Sequence, residues 1–297
     1  MAGFNGIKEL VDAELKGQTR NYQWRKTPSQ VTTAGIWFDL ANTSGMPPAK
    51  QWFDAAPLTA TAIRQSTDKG LYHGPNVSPA QKYLRKTIVM GNSATPLPMA
   101  MQLCDYLLYY PTIDDSETAL QEMDNTVTLP RYTDGVGVQM MAITTGARTG
   151  GQTFTVTYTN SDGVSGRVTP PMQQNTSSIL GTITTSSLTA TNLGTGGPFI
   201  TLQDGDKGVR SIESVQMNGI DTGFFTIVLV KPLAETQLRT VNAPVEIDHL
   251  IQHSQLPRIY DDAFLGYLCL PNGTMVGATF MGTLKTCLLY TSDAADE

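Results

Sequence analysis

The chain has 297 residues, 40% of them apolar and only 15% charged, with 20 basic and 26 acidic side chains and a formal net charge of −6. That balance excludes a generally basic nucleic-acid binder, and three cysteines are too few for a disulfide framework, so a reducing compartment is expected. A chain this long buries about 75% of its unfolded surface, and a charge content below the roughly 25% usual for soluble domains suits contact with neighbouring subunits, because few charges need desolvating.

Residues 1–9 lack the basic and apolar regions of a signal peptide, and no uninterrupted apolar run reaches about 18 residues, so no membrane association is expected. Phe4, Ile7, Leu10, Val11 and Leu15 recur at helical spacing, with Lys8, Glu9, Asp12, Glu14 and Lys16 between them and Gly17 at the stop. This short amphipathic helix packs on its own domain or docks on a neighbour. Next come all three tryptophans, Trp24, Trp37 and Trp52, beside Tyr22, Phe38 and Phe53. Such a cluster stacks on sugars or bases in some proteins, but large aromatics dominate buried area, so core is expected. Trp37-Phe38-Asp39-Leu40-Ala41 and Trp52-Phe53-Asp54-Ala55-Ala56 read as two versions of one phrase, too short to establish a repeat.

A strand is predicted over 86–90, and the apolar stretch 98–110 reads as a buried helix, or a helix followed by a strand. Residues 113–120 carry an N-cap and first-turn acids, which predicts a short helix. Beyond Pro130 the chain turns β-rich. Thr153-Phe154-Thr155-Val156-Thr157-Tyr158-Thr159 alternates polar and apolar side chains, the period of a strand with one wet face. Strands are predicted near 136–145, 153–159, 164–169, 179–184, 187–191, 198–202, 211–217 and 224–230, separated by turns such as Asp162-Gly163 and Asn218-Gly219. Residues 245–253 read as helical, and 264–284 as a hairpin about Pro271-Asn272-Gly273-Thr274.

The fold class expected is mainly β with minor α: a β-sandwich or jelly-roll-like module over 131–235, flanked by a mixed α+β region. That region comprises 1–130 with the N-terminal helix and a 236–286 hairpin region packing on it. The last eleven residues, 287–297, resemble the translation of a sequencing adapter and are expected to be an artefact. Removing Asp293, Asp296 and Glu297 with them takes the net charge from −6 to −3.

No constellation carries recognisable chemistry. Gly146-Ala147-Arg148-Thr149-Gly150-Gly151-Gln152-Thr153 outlines a phosphate loop, yet Gln152 stands where lysine must reach the phosphates. His249 and His253, with Glu246 and Asp248 nearby, have zinc-ligand spacing, but Leu250 occupies the position of the catalytic glutamate. His73 has no evident partner. Asp204-Gly205-Asp206-Lys207-Gly208 begins a calcium loop without its remaining ligands. Asp114-Asp115 and Asp261-Asp262 serve a glycosidase only if folding sets two acids about 5–10 Å apart. Arg20, Arg25 and Lys26, and Lys82, Arg85 and Lys86, read as ordinary solvated charge. Cys104 and Cys269 sit in apolar contexts and read as inert packing. No catalytic, cofactor-binding or metal-binding residue is therefore assigned, and no cofactor is expected.

Across 1–286, the short N-terminal helix, the Thr/Gly-rich charge-poor sandwich and the closing Leu268-Cys269-Leu270-Pro271-Asn272-Gly273 hairpin resemble virion structural proteins of tailed bacteriophages, especially the decoration or cement class. The resemblance implies a non-enzymatic, homo-oligomeric protein of the virion, assembled in the host cytoplasm. Its partners are then the major capsid protein or other virion proteins, with no membrane and no specific nucleic acid. Two other readings stay open: a tail-associated adhesin binding carbohydrate through the sandwich, and a polysaccharide hydrolase using scattered acids.

Overall fold

The computed structural model describes residues 7–184, 197–252 and 256–289. The strand predicted at 187–191, His253 and residues 290–297 lie outside these. The chain opens with α1 (Ile7–Leu15), β1 (Thr19–Lys26), β2 (Phe38–Asp39), β3 (Gly45–Met46), β4 (Thr61–Ala62) and the single turn α2 (Gln65–Asp68). Two long strands follow, β5 (Gln81–Gly91) and β6 (Met99–Asp114), then β7 (Gln121–Glu122), β8 (Gln139–Thr144), β9 (Thr153–Asn160), β10 (Arg167–Val168) and β11 (Met172–Gln173). The last part holds β12 (Val209–Met217), β13 (Phe224–Leu238), β14 (Val245–Asp248), α3 (His249–Gln252), β15 (Arg258–Ile259), β16 (Phe264–Leu270) and β17 (Phe280–Leu289). The chain is mainly β with minor α, in three antiparallel sheets.

The middle sheet runs β2-β16-β6-β13-β8, with β4 also on β6. Its two edges are joined by residues 181–184. Thr144 and Thr184 there bond across to Thr182 and Ala142, while Asp39 N–H reaches Gly181 O at 2.8 Å and Ile183 N–H reaches Trp37 O at 2.9 Å. The bridges Phe38↔Thr182 and Ile143↔Ile183 complete a closed ring. Inside it lie Trp52, Cys104, Tyr106, Tyr109, Val228, Val230, Phe264 and Leu268. Trp52 stacks on Tyr106 at 5.4 Å and meets Phe264 edge-on, the offset geometries aromatic pairs prefer.

The other two sheets pack on the outside of this ring. One, which we call sheet A, runs β14-β5-β17-β1-β3 and covers the Met99, Met101 and Leu103 end of β6. The other, β10-β9-β12-β7 with β11 on β9, covers the Leu108, Tyr110 and Ile113 end. The paired strands β6 and β13 thus form a spine reaching from one outer sheet to the other; at about 3.3 Å per residue β6 alone spans roughly 50 Å. The sheets cross the sequence divisions at 130 and 235, since β6 and β16 pair and β6 and β13 pair.

Several expectations are corrected. Residues 98–110 form no helix but most of β6: both faces are buried, so the apolar run shows no period of two. The helix expected at 113–120 is absent because β6 continues to Asp114, paired with Phe224, and Asp114 then accepts from Ser116 N–H in a turn. Residues 245–248 are strand β14 on β5, which leaves one helical turn, α3. The 264–284 segment is no hairpin, because β16 belongs to the ring and β17 to sheet A; the Pro271–Thr274 turn passes the chain between sheets. At 198–202 there is no strand, and 179–184 contributes only bridges.

Candidate functional site

Sheet A buries one face through Trp24, Leu84, Val89, Phe280 and Leu284. Because side chains alternate along a strand, the residues between these point outward. Register then places Gln23, Thr283, Ile88 and Glu246 in one outward row, and Met46, Arg25, Met281 and Met90 alongside. Met46 is 73% exposed, and Ile88, Met90 and Met281 are half-buried. Methionine is flexible and polarisable, which suits it to contact surfaces.

Helix α1 lies on this same side. Leu10 and Ala13 pack on Cys287 with Leu250 and Leu256, and Glu14 pairs with Lys285 of β17 at 2.7 Å. The apolar stripe of the helix is consequently split. Leu10 and Ala13 face the protein, whereas Ile7 (69% exposed), Val11 (49%) and Leu15 (81%) face away. On α3, Ile251 is 78% exposed. Several charges on this side are paired in place, Lys86 with Glu246 at 2.5 Å, Arg85 with Asp248, and Lys8 with Asp12 at 2.7 Å, while Arg25 in the outward row is exposed. The outer side of sheet A therefore combines exposed apolar groups with largely paired charge, which lowers the electrostatic cost of covering it.

The acids singled out by sequence serve the fold. Asp115 is clamped by Arg148 through Nε at 2.5 Å and Nη2 at 2.9 Å, and accepts from Gln174, while Asp114 holds its own turn. This puts Arg148 of the glycine-rich 146–153 loop in the core rather than near any phosphate. Asp261 accepts from Val77 and Ser78 N–H, and Asp262 from Ser66. Asp206 accepts from Tyr158 at 2.6 Å, Asn160 at 2.7 Å and Arg167 at 2.9 Å, so its oxygens are committed to β9 and β10. His249 is buried, and Glu246 and Asp248 belong to the ion pairs above. Among the described residues no three His, Cys, Asp or Glu side chains form a group that could hold a metal.

Other groups differ from their sequence reading. His73 does have a partner: its Nδ1 faces Lys82 Nζ at 3.1 Å and its Nε2 faces Ala263 O at 2.8 Å. Lys26 and Lys82 are buried, not solvated; burial lowers both to about 8. Trp24, Phe38 and Trp52 are core, whereas Phe53 is exposed. Cys104 and Cys269 are buried free thiols, as is Cys287, which occupies the start of the 287–297 segment.

Two buried centres escaped the sequence reading. Asp39 accepts from Trp52 Nε1, Tyr106 OH, Asn42 Nδ2 and Ala41 N–H, and burial raises its carboxyl above the ordinary range. Asp105 takes a bidentate contact from Arg131 at 2.7 and 2.9 Å, and Arg131 also donates to Ile63, Tyr106 and Asp262 carbonyls. The available signal was one acid within the apolar run Leu103-Cys104-Asp105-Tyr106-Leu107, because an unpaired charge is almost never fully buried.

No protein-family model matches the chain, and no curated protein is similar to it. Among solved structures, the VP2 subviral particle of infectious bursal disease virus aligns over 94% of this chain and 83% of that chain at 8% identity. Its TM-score is 0.16, a likeness that carries no argument about this fold. Among the described residues no helix is long and apolar enough to cross a membrane.

Proposed function

We propose that this chain is a non-enzymatic structural protein of a tailed-phage virion, held in many copies on the capsid surface through the outer side of sheet A. The observation that carries the reading is the pairing of half-exposed Ile88, Met90 and Met281 with charges already neutralised by their neighbours. A contact of this kind is modest for one copy. Symmetry repeats it, and repeated weak contacts give high avidity. The major capsid protein supplies the facing surface, and the module at 131–235 lies away from it.

The test is mass spectrometry of purified virions together with a density map of the particle. The expected result is the protein in stoichiometric amounts, with sheet A against the capsid. Virions that lack the protein, or a map in which sheet A faces solvent, overturn the proposal.

A further inference from the structure

Between the inner face of sheet A and the ring lies a small cavity whose lining includes Trp24, Lys26, Leu40, Pro47, Leu71 and Tyr267, with room for about one water-sized sphere. Residues two apart on a strand point the same way, so Trp24 and Lys26 stand side by side on β1. Tyr267 of β16 packs on Trp24 with ring centroids 5.1 Å apart. None of the three is more than 4% exposed.

The polar atoms of this cluster are all donors in search of an acceptor. Trp24 Nε1 and Tyr267 OH are buried without a hydrogen-bond partner. Lys26 Nζ donates to Thr43 O at 2.9 Å and Pro48 O at 3.3 Å, which uses two of an ammonium's three N–H bonds on neutral carbonyls. Burial lowers its pKa to about 8, so near pH 7 it is still largely cationic. The field of Asp39 reaches Lys26, but that carboxylate is already filled by four donors of its own. A buried cation with no anion in contact and two buried donors with no acceptor each cost free energy.

We propose that this cavity binds a single chloride ion, held by Lys26 Nζ, Trp24 Nε1 and Tyr267 OH. A halide accepts from every side, so it takes all three donors and neutralises the ammonium. A water molecule has two hydrogens of its own to place and leaves the charge uncompensated. A carboxylate or phosphate exceeds the room available. Among the described residues no acid lines the cavity to repel the ion. Bound there, chloride ties β1 of sheet A to β16 of the ring. The site lies on the inner face of β1, so the inference is independent of what covers the outer one.

The test uses the full chain, melted in sodium chloride, sodium bromide and sodium gluconate at matched ionic strength, which holds screening constant. Chloride and bromide, unlike gluconate, are expected to raise the midpoint with concentration and to saturate. Tyr267→Phe removes one donor and keeps the ring. In gluconate it is expected to be no less stable than the unmodified chain, because its hydroxyl has no partner there, and in chloride its affinity for the ion is expected to fall several-fold. Lys26→Met is expected to abolish the halide response; if that variant does not fold, Tyr267→Phe decides. Bromide-soaked crystals locate the ion, with an anomalous peak expected beside Lys26, Trp24 and Tyr267. Equal midpoints in the three salts, a halide response unchanged in Tyr267→Phe, or a cavity that holds only water in bromide overturns the proposal. A bromide peak without any response in solution marks an adventitious ion only and overturns it equally.

Discussion

Trp52 Nε1 donates to Asp39 Oδ2 at 2.7 Å inside a closed ring of strands, in a place where neither group reaches water. Asp39 also receives Tyr106 OH at 2.7 Å, so one carboxylate ties the 50–57 loop, β2 and β6 together. Trp52→Phe keeps most of the ring volume and removes one donor. It is expected to cost about 1–3 kcal/mol in a urea titration. Asp39→Ala, which strands four donors, is expected to cost more than Trp52→Phe, and equal effects would refute the assignment of Asp39 as the hub.

The Arg131–Asp105 pair is expected to be strongly non-additive. Arg131→Met leaves a buried carboxylate with its guanidinium removed, at a cost of roughly 3–5 kcal/mol. The double change Arg131→Met with Asp105→Leu removes both charges and is expected to lose less than Arg131→Met alone. Denaturation midpoints of these two variants, with Asp105→Leu alone as the third, decide it.

Stability is expected to fall on acidification through His73. Burial, then the neighbouring Lys82 cation, lowers its pKa from 6.5 to about 4, so the folded state keeps it neutral. Between those values the unfolded chain binds a proton that the folded chain does not. The stability present above pH 6.5 is therefore lost as pH falls toward 4, by up to about 3 kcal/mol from this group. His73→Gln should flatten the slope of stability against pH across that window, and an unchanged slope would exclude His73 as its source.

The face of sheet A is expected to tolerate charge in the isolated protein. Met281→Lys and Met90→Lys place ammonium groups on half-exposed positions and should change unfolding free energy by no more than about 0.5 kcal/mol each. The same changes should lower incorporation into particles several-fold if that face meets the capsid. Quantitative mass spectrometry of particles complemented with each variant provides the measurement.

Thiol reactivity should report global unfolding. Burial pushes Cys104 and Cys269 far above the ordinary thiol range and Cys287 up to about 11. A disulfide reagent is expected to react with none of them until the chain opens, because the thiolate is the nucleophile.

Where a strand has one wet face, the sequence announces it. Thr153–Asn160 alternates half-buried and buried positions residue by residue, as its threonines and aromatics predict. Where both faces are buried, the period vanishes, and β6 reads as a helix even though its pairing with β13 fixes it as a strand. The sequence predicts a strand at 179–184, but nothing in it shows that residues 181–184 join β2 to β8 and close the ring through isolated bridges. In α1 the apolar positions were legible, but the side they face was not. That depends on Cys287 and Leu250, more than 230 residues away. The buried acids show the same limit: Asp39 and Asp105 stand in apolar phrases, and their partners Trp52, Tyr106 and Arg131 lie near only in space.

The closed ring also bears on how the protein behaves when crowded. Edges remain in the outer sheets: β3, β7, β10 and β11 have two residues each and β14 has four, and β3 pairs only with Arg25 and Lys26, so among the described residues Thr19–Trp24 of β1 has no strand partner on that side. Arg20, Asn21 and Gln23 are exposed along that stretch, and charged and polar side chains of this kind discourage an edge from templating a neighbouring strand. Copies packed at high density then meet mainly through faces and helices, where side chains choose the partner.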